Sequence, residues 1–211
     1  MNHPEIDRLV NRYRDLGACR ASLADAFTLL CDTFDGGGIV LACGNGAGSS
    51  AAEQFTAALL RSFQRARPVP QAFADVLIEE HGPAGEQLAG RLQGALPAVA
   101  LTGPGTLLSG IATDQTPDVL YAQQVYGYGR EGDTLLAAAA GGTDANLTAA
   151  LRTARSLGLR TLVLAGRETD AGVELADVAV QVPRVAPLEI GELHQPVLNA
   201  FAVMLEQKYF T

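Results

Sequence analysis

IVLACGNGAGSS, residues 39–50, joins a short apolar run to a glycine-rich loop and to the start of a helical pattern. Five consecutive apolar residues, 39–43, are typical of a strand that is buried on both faces of a parallel sheet. The glycines let the chain turn tightly after the strand, and Ser49 or Ser50 is predicted to cap the helix that follows. The stretch therefore predicts one strand, loop and helix unit of an α/β protein.

Four more apolar runs repeat this pattern: PAVAL at 97–101, TLLAAAA at 134–140, RTLVLAG at 160–166 and DVAVQV at 177–182. Segments with helical periodicity lie between or beside them, at 49–63, 117–126, 143–157 and 188–210. Strands that alternate with helices predict a doubly wound, five-stranded parallel sheet with helices on both faces, a three-layer αβα architecture. Such sheets bind ligands at the carboxyl ends of their strands, so the loops after residues 43, 101, 140 and 166 are candidate sites.

The rest of the chain is also predicted to be helical. Residues 4–34 repeat apolar side chains every three or four positions, with Gly17 as the expected break between two helices. The stretch 64–95 is predicted to form two short extra helices, inserted in the fold as a lid or an oligomer contact. The length of 211 residues suits one domain, 1–211.

Composition restricts the partners and the compartment. The formal net charge of −8 repels phosphate backbones and anionic lipid, so neither direct nucleic acid binding nor membrane binding is expected. No apolar run reaches the roughly 18 residues that span a bilayer, and no signal peptide is recognised. The three cysteines lack Cys-x-x-Cys spacing, which fits buried thiols in the cytoplasm. Three histidines and scattered carboxylates show no metal-ligand spacing, and neither a metal nor a cofactor is expected.

Oligomer formation is predicted from the first and last helical segments, which carry broad apolar faces. We expect subunits to pack through these faces as a dimer or a tetramer with closed symmetry. The apolar residues behind this prediction are Phe27, Leu30, Val197, Phe201 and Leu205.

The first glycine loop is the first candidate binding site. Its small residues allow a ligand to approach the backbone, and the free N–H groups of the following helix favour an anion or a sugar hydroxyl. The third glycine placement and the acidic residue of a dinucleotide fingerprint are missing, as is the lysine of a P-loop. A tight turn without a ligand is the structural alternative. The candidate ligand-binding residues are Gly44, Asn45, Gly46, Gly48, Ser49 and Ser50.

Several stretches match one pattern in the same order along the chain. They are LACGNGAGSSAAEQFTAALLRSF at 41–63, PAVALTGPGTLLSGIATD at 97–114, VLYAQQVYGYGREGDTLLAAAAGGTDANL at 119–147, LGLRTLVLAGRE at 157–168 and VPRVAPLEIGELHQPVLNAF at 182–201. Together they resemble the sugar isomerase (SIS) domain family, in its phosphoheptose isomerase branch. The resemblance implies a flavodoxin-like SIS fold, an oligomer, and Asp114 as an acidic residue near the ligand.

The second glycine loop departs from the family pattern. Where phosphoheptose isomerases carry Ser-Thr-Ser-Gly-Asn-Ser around the sugar phosphate, this chain has Ala139, Ala140, Gly141, Gly142, Thr143 and Asp144. Each lost charge-assisted hydrogen bond is worth about 1.5–3 kcal/mol, and Asp144 adds like-charge repulsion. This loop is therefore not expected to hold a phosphate in the family's manner. Gly142, Thr143 and Asp144 remain candidate ligand-binding residues.

The catalytic positions implied by the resemblance also depart from the family. A His and a Glu four residues apart correspond to Gln54 and Ala58, and a Gln and a His eight residues apart correspond to Gly191 and Asn199. An amide, a methyl group or a hydrogen cannot act as a general base, so the family's aldose–ketose isomerisation is expected to be absent.

Three hypotheses remain open, and the third is a nucleotide or dinucleotide binder that uses GNGAGSS without a ribose-reading carboxylate. The leading one is a silent SIS-type protein that binds a carbohydrate derivative, such as a sugar phosphate or nucleotide sugar, and acts as a regulatory or scaffold oligomer. The branch includes the DnaA-initiator-associating protein, a partner-binding protein with an exposed apolar pair where this chain has Tyr209 and Phe210. The alternative is an active sugar-phosphate isomerase, of the sedoheptulose 7-phosphate type, whose site is rebuilt by the segment 79–81 from another subunit. His194 is predicted to pack a helix, and it does not share a helix face with Glu192.

Overall fold

The computed structural model describes residues 3–103, 105–141, 144–169 and 172–210. These residues form a five-stranded parallel sheet of β1 (Val40–Gly44), β2 (Ala98–Ala100), β3 (Thr134–Ala138), β4 (Arg160–Gly166) and β5 (Val178–Val182). Their spatial order is β2-β1-β3-β4-β5, the order of flavodoxin-like sheets. Each strand coincides with one of the five apolar runs, with β1 extending one residue further, to Gly44, so the predicted doubly wound sheet is confirmed.

Nine α-helices surround the sheet in the part of the chain that the structure describes. They are α1 (Pro4–Arg12), α2 (Arg20–Asp35), α3 (Ala47–Leu60), α4 (Gln71–His81), α5 (Pro83–Ala89), α6 (Gly105–Asp114), α7 (Leu120–Tyr128), α8 (Ala145–Ser156) and α9 (Pro187–Tyr209). A 3₁₀ turn, Arg14–Cys19, separates α1 from α2 and contains Gly17, as predicted. Helix α6 was not predicted, since its ten residues are mostly exposed and leave no clear apolar stripe.

The pleat of the strands divides the core into two halves. Val40, Ala42 and Leu136 face a core that contains side chains of α1, α2, α3 and α9. The alternating residues Leu41 and Leu135 face a second core that contains side chains of α7 and α8. Because successive side chains of a strand point to opposite faces, each short apolar run supplies both cores. The predicted three-layer architecture is confirmed.

The apolar faces of α2 and α9 lie inside the chain, which corrects the reason given for oligomer formation. Leu30, Val197, Phe201 and Leu205 are fully buried in the first core, and Phe27 is partly buried against it. The first and last helices pack on the same face of the sheet and on each other, so they cover these side chains without a second subunit. The sequence alone did not show that these two distant segments are neighbours.

The segment 64–95 contains α4 and α5, as predicted, and they form a hairpin. Helix α4 has no buried residue, and its main contact is with α5. Phe73, Val76 and Ile78 of α4 are 46%, 48% and 41% exposed, which is high for large apolar side chains. The hairpin therefore presents an apolar surface that the rest of the described chain leaves uncovered.

The start of this segment is held by a buried ion pair. The Arg67 guanidinium donates through Nε to Oε1 of Glu206 on α9 at 2.6 Å, and both side chains are almost inaccessible to solvent. Glu206 also accepts hydrogen bonds from the backbone N–H groups of Phe63, Gln64 and Arg65. The carboxylate therefore fixes the chain as it leaves α3.

The C-terminal rings of Tyr209 and Phe210 are partly buried against the rest of the chain. The Tyr209 hydroxyl donates to Oδ1 of Asp35 at 2.6 Å, and its ring packs edge-on against Phe34. The Phe210 ring lies under the Arg67 guanidinium, 4.7 Å from ring centroid to Cζ. Burial and the carboxylate of Asp35 raise the pKa of Tyr209 to about 12. A partner-binding role for this pair stays a prediction.

Candidate functional site

The carboxyl ends of β1 and β3 meet at a cleft of about 320 Å³. Its walls are residues 45–47 after β1, residues 140–141 with Asp144 after β3, and Pro187 and Leu188 at the start of α9. Since β1 and β3 are hydrogen-bonded neighbours, the loops that follow them lie side by side. The structure therefore brings together the candidate residues Asn45, Gly46 and Asp144.

Helix α3 begins earlier than the sequence predicted. Gly46 is the N-cap residue, its φ of 54° lies in the left-handed region, and no side chain caps the helix. Ser49 and Ser50 lie inside the first turn, where their backbone N–H groups bond to the Gly46 carbonyl at 3.1 and 3.4 Å. The predicted serine cap is wrong, because a glycine at this unusual φ starts the helix before the serines.

Gly44 and Gly48 are packing residues of the site rather than part of its wall. A Cβ atom on Gly48 would lie 2.2 Å from the Ala138 carbonyl oxygen, so only glycine lets α3 approach β3 this closely. Gly44 is buried at the end of β1, and its carbonyl accepts a 2.5 Å hydrogen bond from the Tyr121 hydroxyl. Both glycines position the loop between them, and neither lines the cleft.

A polar network fixes the side chain of Asp144. Asn45 donates through Nδ2 to Oδ1 of Asp144 at 2.8 Å and to Oδ1 of Asn146 at 2.9 Å. Asn146 returns a hydrogen bond from its Nδ2 to Oδ1 of Asn45 at 3.0 Å. Sequence reasoning missed Asn146, although its place two residues after Asp144, in the first turn of α8, was a usable signal. The network locks both amides and the carboxylate into one orientation.

The negative charge of Asp144 contributes to the raised pKa values of its neighbours Tyr121 and Cys43. Burial, then Cys43 and Asp144, raise the pKa of Tyr121 to about 12, so the hydroxyl that holds Gly44 stays protonated. Burial and, second, the charge of Asp144 raise the pKa of the Cys43 thiol far above its usual range. Cys43 is therefore a neutral packing thiol, and all three cysteines are buried free thiols, as predicted.

Other candidate residues lie elsewhere or cannot be placed. Asp114 is exposed at the end of α6 and does not line the cleft. Gly142 and Thr143 lie outside the described residues. Glu79, Glu80 and His81 form the exposed last turn of α4, with His81 Nε2 3.6 Å from a Glu80 carboxylate oxygen. Within one chain, the segment 79–81 therefore does not reach the described wall of the cleft.

The four positions that correspond to the family's catalytic groups lie on α3 and α9. Gln54 is exposed, and the buried Ala58 offers only a methyl group beside its backbone carbonyl, which accepts a hydrogen bond from Arg67. Gly191 packs against Ala47, and Asn199 is bonded through its Oδ1 to Nε2 of Gln195 at 2.9 Å. None of the four side chains titrates near neutral pH.

Asn199 lines a second cleft, of about 530 Å³, between α1 and α9. Arg8, Arg12 and Gln195 also line it, together with Glu5 and Glu192 of opposite charge. A third and larger cleft, of about 600 Å³, lies at the amino ends of β4 and β5. Its charged side chains are largely paired with each other, as in the 2.9 Å contact between Arg160 and Asp32. Neither of these clefts contains Asn45 or Asp144.

His194 lies in the core beside β4, as a packing residue. It is fully buried, and among the described residues neither ring nitrogen has a well-formed hydrogen bond. Burial lowers the pKa of His194 to about 4, and the nearby Ala165 carbonyl offsets only part of this shift. The ring is therefore neutral at physiological pH. Glu192 is exposed on the other side of α9, as predicted.

The described residues hold neither a metal-type cluster nor a helix that could span a membrane. In these ranges, no group of three histidine, cysteine or acidic side chains converges as metal ligands would. No helix in the same ranges is both long and apolar enough to cross a bilayer.

The five-stranded parallel sheet and its flanking helices form a three-layer α/β fold that solved phosphoheptose isomerases share. The fold superimposes on phosphoheptose isomerase from Neisseria gonorrhoeae with a TM-score of 0.74 at 23% identity, covering 97% of this chain and 94% of that one. It superimposes on the Francisella tularensis phosphoheptose isomerase with a TM-score of 0.72 at 22% identity, covering 95% and 94%.

Sequence comparison agrees with the fold. The chain is 28% identical to the phosphoheptose isomerase of Alkalilimnicola ehrlichii, covering 97% of this chain and 96% of that protein. It is 29% identical to that of Thiobacillus denitrificans, covering 90% and 89%. No family model matches the chain. In sequence and in fold, the chain is similar to phosphoheptose isomerases of the SIS type.

Proposed function

We propose that this SIS-domain protein lacks isomerase catalysis, binds a carbohydrate derivative in the cleft at Asn45 and Asp144, and works as a regulatory or scaffold homo-oligomer. The observation that carries the proposal is the chemistry of the four positions on α3 and α9. Moving a proton between adjacent carbons needs a general acid or base within hydrogen-bond reach of the substrate. Glutamine, alanine, glycine and asparagine supply none.

The remaining titratable groups do not replace the missing ones. His194 is neutral but withdrawn from solvent, so a substrate in the cleft has no path to its ring. Glu53 on α3 accepts a hydrogen bond from the Thr102 hydroxyl at 2.7 Å and does not line the cleft. These placements support a binding protein over an enzyme.

We expect the purified protein to leave sedoheptulose 7-phosphate unchanged. Acid–base groups each contribute roughly 10²–10⁴-fold to such reactions, so the rate should be at least about 10⁴-fold below that of a competent phosphoheptose isomerase run as a positive control. The ketose and aldose phosphates would be followed by NMR. Turnover that falls when Glu53, Asp114 or His194 is replaced would overturn the proposal, and turnover that falls with His81→Ala would favour a rebuilt intersubunit site.

The oligomer is proposed to form through the α4–α5 hairpin. Two short helices with almost no buried side chains gain little stability from each other, and a second subunit would cover their apolar surface. A homodimer or homotetramer with closed symmetry satisfies this requirement. Regulation or scaffolding of a protein partner would then act through the assembled form.

We expect the wild-type chain to be a dimer or tetramer in light scattering, and the double variant Phe73→Glu, Val76→Glu to shift to a lower mass. Both positions are about half exposed in the single chain, so the circular dichroism spectrum should be unchanged. Tyr126→Glu, which changes an even more exposed aromatic residue on α7, is the matched control. A monomeric wild type, or an assembly indifferent to the double variant, would contradict this surface.

The protein is proposed to work in the cytoplasm. Three buried free thiols are typical of a protein in a reducing compartment. The net charge of −8 disfavours direct contact with nucleic acid or anionic membranes.

A further inference from the structure

The described side chains that line the cleft at Asn45 and Asp144 offer a ligand hydrogen-bond acceptors and no free donors. Among its described wall residues there is no lysine, arginine, serine or threonine side chain. Both amide hydrogens of Asn45 are already committed, one to Asp144 and one to Asn146. The backbone N–H groups of Gly48 and Ser49 are bonded to carbonyls of the same turn. The donors left for an anion are the backbone N–H groups at the starts of α3 and α9, and no described side chain of the wall adds a positive charge to them.

The carboxylate of Asp144 stands in the cleft without a cation. In the described part of the chain, no lysine, arginine or histidine lies within ion-pair distance of it. Its Oδ1 is held by Asn45, while its Oδ2 is shielded from solvent and has no partner among those residues. Since water screens a partly buried charge weakly, the negative potential extends into the cleft.

Resting on the proposed carbohydrate-binding function, we infer that this cleft selects an unphosphorylated amino sugar and rejects sugar phosphates. The ammonium group of such a ligand would compensate the Asp144 charge, and its hydroxyls would donate to the remaining acceptor lone pairs. A cleft of about 320 Å³ is near the lower end of small-molecule sites, which suits a monosaccharide. Ala140, Pro187 and Leu188 provide the apolar surface against which a sugar ring can pack.

The test is a two-by-two set of probes: glucose, glucosamine, glucose 6-phosphate and glucosamine 6-phosphate. Binding is measured by calorimetry and thermal shift at low salt, with the wild type, Asp144→Asn and Asp25→Asn. The amide introduced by Asp144→Asn keeps the size and the Oδ1 acceptor of the carboxylate and removes its charge. Asp25 is a carboxylate on α2, outside this cleft, so its variant controls for the loss of one charge.

For the wild type and Asp25→Asn, we expect the amine to tighten binding by roughly tenfold or more and the phosphate to weaken it by a similar factor. In Asp144→Asn, the affinities for probes with and without the amine should be nearly equal, and so should those for probes with and without the phosphate. In the wild type, added salt should reduce the effects of both groups on affinity. If the wild type binds the phosphorylated probes as tightly as the unphosphorylated ones, or more tightly, the inferred selection by charge is wrong. The proposed carbohydrate-binding function is then still supported. If no probe binds to any of the three proteins, the proposed carbohydrate-binding function is overturned, and this inference falls with it.

Discussion

Replacing Glu206 by alanine should lower the free energy of unfolding by about 3–5 kcal/mol, the range measured when one partner of a buried ion pair is removed. The substitution leaves the Arg67 guanidinium buried with a charge that no carboxylate balances, although its Nη1 and Nη2 atoms still donate to the Leu59 and Ala58 carbonyls at 3.0 Å. It also removes the acceptor for three backbone N–H groups. For a domain of this size, the melting temperature should fall by roughly 10 °C.

Denaturant unfolding of Glu206→Ala, Glu206→Gln and the double variant Arg67→Met, Glu206→Met measures this effect. Glu206→Gln keeps one acceptor oxygen and should lose less stability, and the double variant should recover part of the loss because it leaves no unpaired buried charge. Glu86→Ala removes an exposed carboxylate on α5 and should change stability by no more than about 0.5 kcal/mol. A loss at Glu206→Ala as small as this control would show that the pair does not hold the segment after α3.

The stability of the wild type should decrease by about 3 kcal/mol as the pH falls from 6.5 to 4, through protonation of His194 in the unfolded chain. Burial lowers the pKa of His194 to about 4 in the fold, against about 6.5 for an unfolded histidine. Between these values the unfolded state binds the proton and the folded state does not, so acid favours unfolding. The effect is absent above the unfolded pKa and grows as the pH approaches the folded pKa.

His194→Leu should remove this pH dependence and should be neutral or mildly stabilising at pH 7, since a shape-matched apolar residue leaves no buried nitrogen without a partner. His81→Leu is the control, because the side chain of His81 is 56% exposed and its replacement should leave the slope intact. Glu206 titrates in a different pH range. Burial alone raises the pKa of Glu206, but hydrogen bonds from backbone N–H groups and the charge of Arg67 outweigh burial, so the pKa is lowered. Its contribution is therefore lost only below the ordinary carboxyl pKa of about 4.3. A slope between pH 6.5 and 4 that survives in His194→Leu would contradict this assignment.

Local patterns predicted the framework well and its connections less well. The five strands and most helices follow from apolar runs and periodicity, which depend on residues a few positions apart. The start of α3 was misplaced because the unusual φ of Gly46, rather than the cap propensity of Ser49, begins the helix. Helix α6 was missed because its short sequence has only one residue described as buried, Ile111, and thus no stripe to recognise.

In the candidate site too, local features were visible in the sequence and contacts between distant residues were not. The glycine loop and the loss of hydroxyls at 139–144 were visible in the sequence, and so was the absence of proton-transfer groups at Gln54 and Asn199. The network of Asn45, Asp144 and Asn146 was not, because it joins positions about 100 residues apart. The pairing of Arg67 with Glu206 spans 139 residues and left no local signal.

The sequence by itself determined the parallel α/β architecture, the buried thiols and which chemical groups are present at each position. The tertiary structure alone decided which of those groups meet. The apolar faces of α2 and α9 are covered within the chain, Asp144 accepts a hydrogen bond from Asn45, which is itself paired with Asn146, and the rest of the described chain leaves the α4–α5 hairpin uncovered. The physical reason is the separation along the chain over which each effect acts. Periodicity and turn chemistry act over a few residues, whereas burial, ion pairing and the field in a cleft depend on which distant segments the fold makes neighbours.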